Sequence, residues 1–187
     1  MKQSKTLRVT TLAVFAAIAY LMTFITHNIK IMPSAPFLSL DMKDVVIVLA
    51  GFQFGPLAAA ALSLVVSFIE MITISSSGII GMVMNVISTC AFACTASFIF
   101  RKKRTFVGAV TGLVLGTLLA TAMMLLWNLI ITPFYMNVTT EQVVGMLAPI
   151  FLPFNLLKYG INSVAAAILF TPLIHIMRKY AGFGEAA

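Results

Sequence analysis

Five long apolar stretches dominate the chain: Val9 to Thr26, Val45 to Ile74, Ile79 to Phe100, Phe106 to Ile131 and Leu147 to Met177. A bilayer core takes roughly 20 apolar residues of helix to cross. None of the stretches shows the polar–apolar alternation of a membrane β-barrel strand. Helices are therefore the expectation, because a helix satisfies its backbone polar groups within the segment. The stretch over 44–75 reads as one long helix or two short ones. Gly55-Pro56 stands near its middle. Proline is poor inside a helix and good in its first turn, so this pair is placed to end one helix and begin the next.

Charge fixes the count. Lys2, Lys5 and Arg8 precede the first stretch, and Arg101, Lys102, Lys103 and Arg104 follow the stretch ending at Phe100. Basic clusters beside membrane helices stay in the cytoplasm, so an even number of crossings separates these two. The expected all-α bundle has six transmembrane helices near 9–26, 43–54, 56–75, 79–100, 105–131 and 148–178, with both termini cytoplasmic. The second helix is short for a bilayer and is expected to be tilted or shielded. The outer connections fall at 27–42, 75–78 and 132–147, the first and last being the long ones. No linker, repeat or second domain is visible over 1–187.

Composition narrows the function. The 187 residues are 61% hydrophobic and 9% charged, against roughly 25% charged in a soluble domain, which excludes a soluble enzyme. The net charge of +7 sits at helix ends, where it sets topology, and does not point to nucleic acid. The basic start and apolar run look like a signal peptide, but 18 apolar residues exceed an h-region of roughly 7–15; the run reads as a retained helix. Cys90 and Cys94 are four apart in an apolar run. They read as small packing residues, with a metal or redox pair as the lesser alternative.

Ionisable groups inside membrane helices are costly and are functional candidates by default. Lys158 lies in the last stretch, with Asn155 three residues before it and Asn162 four after, all on one helix face. It either lines a site or snorkels to the outer interface. Asn128, near the outer end of the fifth helix, is a site residue or an interhelical hydrogen-bonding group. Trp127 and Tyr135 are interface anchors or stacking partners for a ring. Glu70 and Asn85 flank the Ser75–Gly81 turn. Asp41, Lys43 and Asp44 open the second helix, where the carboxylates suit a cap or a first turn. Amides offer both donor and acceptor, which suits a neutral heterocycle. A cation site would hold more carboxylates and a phosphate site more arginines. There is no phosphate loop, no zinc motif and no legible catalytic triad. A binding subunit that borrows energy from partners fits these absences. Ala13 and Ala17, four apart on the first helix, either permit close approach of a partner helix or pack within the chain.

These residues carry a family resemblance over nearly the whole chain. Phe37-Leu-Ser-Leu-Asp41-Met-Lys-Asp44, Phe54-Gly-Pro-Leu-Ala58, Asn128 with Pro133 and Tyr135, and Leu152-Pro-Phe-Asn-Leu-Leu-Lys158 resemble segments of the substrate-binding (S) component of energy-coupling-factor vitamin transporters, riboflavin-binding branch. The last two segments are the most specific. The resemblance implies a single six-helix transmembrane substrate-binding domain in the bacterial cell membrane. It implies riboflavin as transported ligand, with no catalytic residue, metal or cofactor of its own. It implies that Asn128, Asn155 and Lys158 contact the flavin; Leu40, Tyr135, Asn85 and Glu70 are expected to complete the site, Glu70 being itself a departure from the family pattern. A membrane scaffold subunit and two cytoplasmic ATPase subunits would be the partners, with Ala13 and Ala17 on the docking helix. The chain departs from the pattern at Val66-Ser67, where many members carry Lys-Asn. Another vitamin or flavin is the nearest alternative ligand. A membrane enzyme would need a carboxylate or histidine cluster at one face, and an assembly protein would need neither Lys158 nor long outer loops.

Overall fold

A computed structural model describes residues 5–35, 38–75 and 77–180; over 174–180 it describes the backbone alone. Among the described residues all regular structure is helical. The elements are α1 (Lys5–Thr26), α2 (Lys43–Phe54), α3 (Pro56–Thr73), α4 (Gly78–Lys103), α5 (Phe106–Met136) and α6, which begins with Thr140–Met146 and ends with Leu152–Tyr180. Five of them are long and apolar enough to cross a membrane. The sixth, α2, has 12 residues and packs against α1, α3, α4 and α6. Every residue from Lys43 to Phe52 is buried. The expected short helix is thus present and is shielded by its neighbours.

The α2–α3 junction falls at Gly55-Pro56. Gly55 has φ +95°, a backbone conformation that costs glycine little, and Pro56 occupies the first turn of α3. At the same end, Arg104 closes α4 in the left-handed region, and the Thr105 hydroxyl caps α5 by accepting from the Gly108 N–H at 3.0 Å.

α4 and α5 cross with their backbones in contact. A Cβ on Gly112 would lie 2.6 Å from the Ala96 carbonyl oxygen, and one on Gly116 would lie 2.6 Å from that of Phe92. This Gly-x-x-x-Gly spacing at Gly112 and Gly116 permits the crossing. Phe52, Phe100 and Phe170 fill the bundle below, with ring centroids 4.9–5.6 Å apart, and the half-exposed Phe106 ring packs on Phe170 at 5.9 Å.

Two boundaries differ from expectation. The connection expected over 132–147 is almost wholly helical: α5 runs through Pro133 to Met136, and α6 starts at Thr140. Asn137 takes the left-handed conformation (φ 53°) that ends α5, a position asparagine tolerates. Thr139 and Gln142 then form a reciprocal capping box that starts α6. α6 also carries a π turn at Leu147–Phe151, which includes Pro149 and is followed by Pro153. Proline removes backbone donors from the regular ladder there, and the asparagine–lysine face begins on the next turn.

The long connection over 27–42 does fold back on the bundle. The Leu40 N–H donates to the Ile29 carbonyl at 2.8 Å, and Ala35 is buried.

Candidate functional site

One end of the bundle holds a cavity of about 400 Å³, within the range of small-molecule pockets. α4 follows the cavity-lining Ser77 and runs 26 residues to Lys103 in the basic cluster, about 39 Å of helix at 1.5 Å per residue. Cavity and basic cluster therefore occupy opposite ends. The seven expected ligand residues, Leu40, Glu70, Asn85, Asn128, Tyr135, Asn155 and Lys158, all line the cavity. They come from the 27–42 connection, α3, α4, α5 and α6, so the fold brings five separate segments together here.

The amides are oriented by their own helices. Asn128 donates through Nδ2 to the Met124 carbonyl at 2.7 Å and accepts from the Thr132 hydroxyl at 2.8 Å. Asn155 donates through Nδ2 to the Phe151 carbonyl at 2.7 Å. Asn128 thus hydrogen-bonds only within its own helix and lines the cavity. Tyr135 stands at the mouth, nearly half exposed, and donates to the Ser77 hydroxyl at 3.1 Å. Trp127 is half-buried and does not line the cavity. Val66 and Ser67 are buried and lie outside the cavity wall, so the departure from the family pattern does not alter that wall directly.

Sequence reasoning missed how the charges are connected. Lys43 is fully buried and its ammonium pairs with Asp41 and with Glu70, the latter at 3.0 Å. Glu70 also accepts from Asn85 Nδ2 at 3.1 Å. Asp41 accepts from the Thr23 hydroxyl of α1 at 3.1 Å, and its backbone carbonyl accepts from Asn162 Nδ2 of α6 at 2.9 Å. Burial works to raise the Asp41 carboxyl, but the ammonium groups of Lys43 and Lys158 outweigh it and hold it down at about 2. Asp44 lies in the first turn of α2, one of the two places expected for it, and does not cap the helix. The cap residue of α2 is Met42, with no side-chain hydrogen bond. The Asp44 carboxylate is fully buried, accepts from the Thr89 hydroxyl at 2.6 Å and lies 3.8 Å from the Lys158 ammonium. Lys158 is 8% exposed and points inward, so it does not snorkel. The signal that could have found this network was the density of charge at Asp41, Lys43 and Asp44 just before the apolar run Val45 to Phe52.

On α1, Phe15, Ala19 and Thr23 point inward. Ala13 and Ala17 lie on the outward face, with Val14, Ile18 and Leu21 beside them. The pair therefore does not pack within the chain. Cys90 and Cys94 are free thiols within a π turn of α4, and Cys94 contacts the Pro56 carbonyl at 3.4 Å.

The family described as "ECF transporter, substrate-specific component" matches residues 7–170. The chain belongs to this family. It is 30% identical over 185 residues to "Riboflavin transporter RibU" of Staphylococcus aureus, covering 96% of this chain and 95% of that protein. It is 29% identical over 178 residues to "Riboflavin transporter RibU" of Streptococcus thermophilus, covering 90% and 83%. "Riboflavin transporter FmnP" of Bacillus subtilis is 26% identical over 183 residues, covering 90% and 93%. A solved structure titled "Structure and mechanism of the S component of a bacterial ECF transporter" superposes with a TM-score of 0.78 at 29% identity, over 93% of this chain and 99% of that one. As a substrate-specific component, this protein is a multi-pass component of a bacterial membrane transporter and not an enzyme. Its partners are the other subunits of such a transporter.

Proposed function

We propose that this S component binds riboflavin in the cavity and presents it for uptake driven by ATP hydrolysis in partner subunits. The observation that carries the reading is the convergence of Asn128, Asn155 and Lys158 on one side of a 400 Å³ cavity, with Glu70 and Asn85 among its other lining groups. The pyrimidine edge of an isoalloxazine alternates carbonyl oxygens and ring nitrogens. Amides satisfy both kinds of atom and an ammonium donates to a carbonyl. The hydroxyls of a ribityl chain are both donors and acceptors, which suits a carboxylate and an amide such as Glu70 and Asn85. The relatives named for riboflavin support the same ligand.

Titration with riboflavin, followed by quenching of flavin fluorescence, tests the site. Asn128→Leu and Asn155→Leu each leave a polar ring atom unsatisfied, at about 1–3 kcal/mol. The expected loss of affinity is about five- to 150-fold. Unchanged affinity in both variants would move the ligand away from this wall.

The cavity end is proposed to face the outside, with both termini in the cytoplasm, because the described acidic residues and the Arg101–Arg104 cluster occupy opposite ends. In a background lacking Cys90 and Cys94, cysteines at Ser34 and Asn137 are expected to react with an impermeant thiol reagent applied outside intact cells. A cysteine at Lys103 is expected to be silent, and labelling of all three alike would refute the orientation.

The partners are proposed to be a membrane scaffold subunit and two cytoplasmic ATPase subunits, with the outward face of α1 as docking surface. Ala13 and Ala17 leave room there for a second helix to approach closely. Ala13→Leu with Ala17→Leu is expected to reduce co-purification of the scaffold while leaving riboflavin affinity of the isolated chain unchanged. Normal assembly of the double variant would remove α1 as the docking helix.

A further inference from the structure

The end of the bundle away from the cavity carries a feature that substrate capture does not use. A shallow groove of about 450 Å³ runs along α5, lined by Phe106, Val107, Val110, Thr111, Val114 and Leu115. Five of these six side chains are apolar. From Phe106 to Leu115 the groove spans about 13 Å of helix, close to the depth of one bilayer leaflet, half of about 30 Å. It begins directly after the basic turn. Lys102, Lys103 and Arg104 are all exposed, and the Lys102 ammonium stands 4.6 Å from the centre of the exposed Phe98 ring. The positive end of the α5 dipole points to the same place. Asp41, Asp44, Glu70 and Glu141, the four acidic groups among the described residues, lie at the cavity end, so none of them neutralises this turn.

We infer that the α4–α5 turn and the groove below it form a seat for an anionic glycerophospholipid. Its phosphate would rest against Lys102 and Arg104, and one acyl chain would lie along Val107, Val110 and Val114. A basic turn alone would serve only to orient the chain in the membrane. A groove of leaflet depth opening at that turn adds a place for the chain of the same molecule. An acidic protein partner would match the charge but has no use for an apolar groove that descends into the bilayer.

The test is native mass spectrometry of the purified full chain in neutral detergent, with phosphatidylglycerol and phosphatidylcholine supplied at equal concentration. The unaltered chain is expected to retain phosphatidylglycerol preferentially. Lys102→Gln with Arg104→Gln is expected to lower that preference by roughly fivefold for each charge removed. Val114→Trp fills the groove and is expected to reduce retention of phosphatidylglycerol with the basic residues intact. Thermal unfolding of each variant checks that the bundle is unaltered, and this readout does not depend on the identity of the transported ligand. Equal retention of the two lipids by the unaltered chain would overturn the proposal and leave the basic turn to a protein partner. A preference that survives both variants would place the lipid elsewhere.

Discussion

Lys43→Met is expected to lower the thermal unfolding midpoint of the purified protein more than any substitution in the cavity wall, with a loss of about 3–5 kcal/mol. Lys43 is completely buried and stands between Asp41 and Glu70, whose side chains are 11% and 8% exposed. Removing its ammonium leaves two carboxylates with like charge and little water. Replacing one member of a buried pair is far more harmful than never having built the pair, because the remaining charge keeps its desolvation cost. The damage would spread, since Asp41 ties α1 through Thr23 and α6 through Asn162, and Glu70 ties α4 through Asn85. Adding Glu70→Gln to Lys43→Met is expected to recover part of the loss by removing one of the stranded charges. Emission of Trp127, the one tryptophan of the chain, can follow the unfolding. An unfolding midpoint for Lys43→Met equal to that of the unaltered chain would show that the network holds nothing together.

The second large effect is expected at Lys158, where stability and ligand binding can be separated. A lysine facing a cavity alone could be removed without structural cost. This one lies 3.8 Å from the buried Asp44 carboxylate, so Lys158→Met is expected to destabilise the ligand-free protein as well as weaken riboflavin binding. Asp44 does not line the cavity. Adding Asp44→Asn to Lys158→Met is therefore expected to restore the unfolding midpoint toward that of the unaltered chain. The same addition is expected to leave riboflavin affinity low. Hydrogen bonds to a charged donor contribute about 1.5–3 kcal/mol, which corresponds to a loss of roughly ten- to 150-fold. Recovery of affinity along with stability would make Lys158 a structural residue only and remove it from the ligand's contacts.

The helices were legible because bilayer-spanning segments announce themselves by length and apolarity. The α2–α3 break was legible because glycine followed by proline has a definite backbone meaning. Asn128, Asn155 and Lys158 were legible because polar groups in such helices stand out. The ends of α5 and α6 were not, since hydropathy fades where a helix rises out of the apolar layer while its hydrogen bonding continues. The capping box at Thr139 and Gln142 was the available sign. The pairing of Lys43 with Glu70, and of Asp44 with Lys158, was illegible for a different reason. Partners 27 and 114 positions apart are brought together by helix packing, and no local pattern records which charge meets which.

The burial of α2 from Lys43 to Phe52 has a consequence for how the chain enters the membrane during synthesis. At 12 residues it spans about 18 Å, against a hydrocarbon layer of about 30 Å, and its first turn holds Lys43 and Asp44. Of the groups that compensate those charges, Asp41 alone emerges earlier; Glu70, Thr89 and Lys158 are all made later. A nascent α2 facing lipid would hold an ammonium and a carboxylate with few partners, at a cost membrane insertion does not tolerate well. The order of synthesis and the order of burial must therefore differ, with α2 drawn into the centre only as later helices assemble around it. A chain ending at Lys103, in a background without Cys90 and Cys94, is expected to expose a cysteine placed at Val48 to a water-soluble thiol reagent, whereas the full-length chain is expected to hide it.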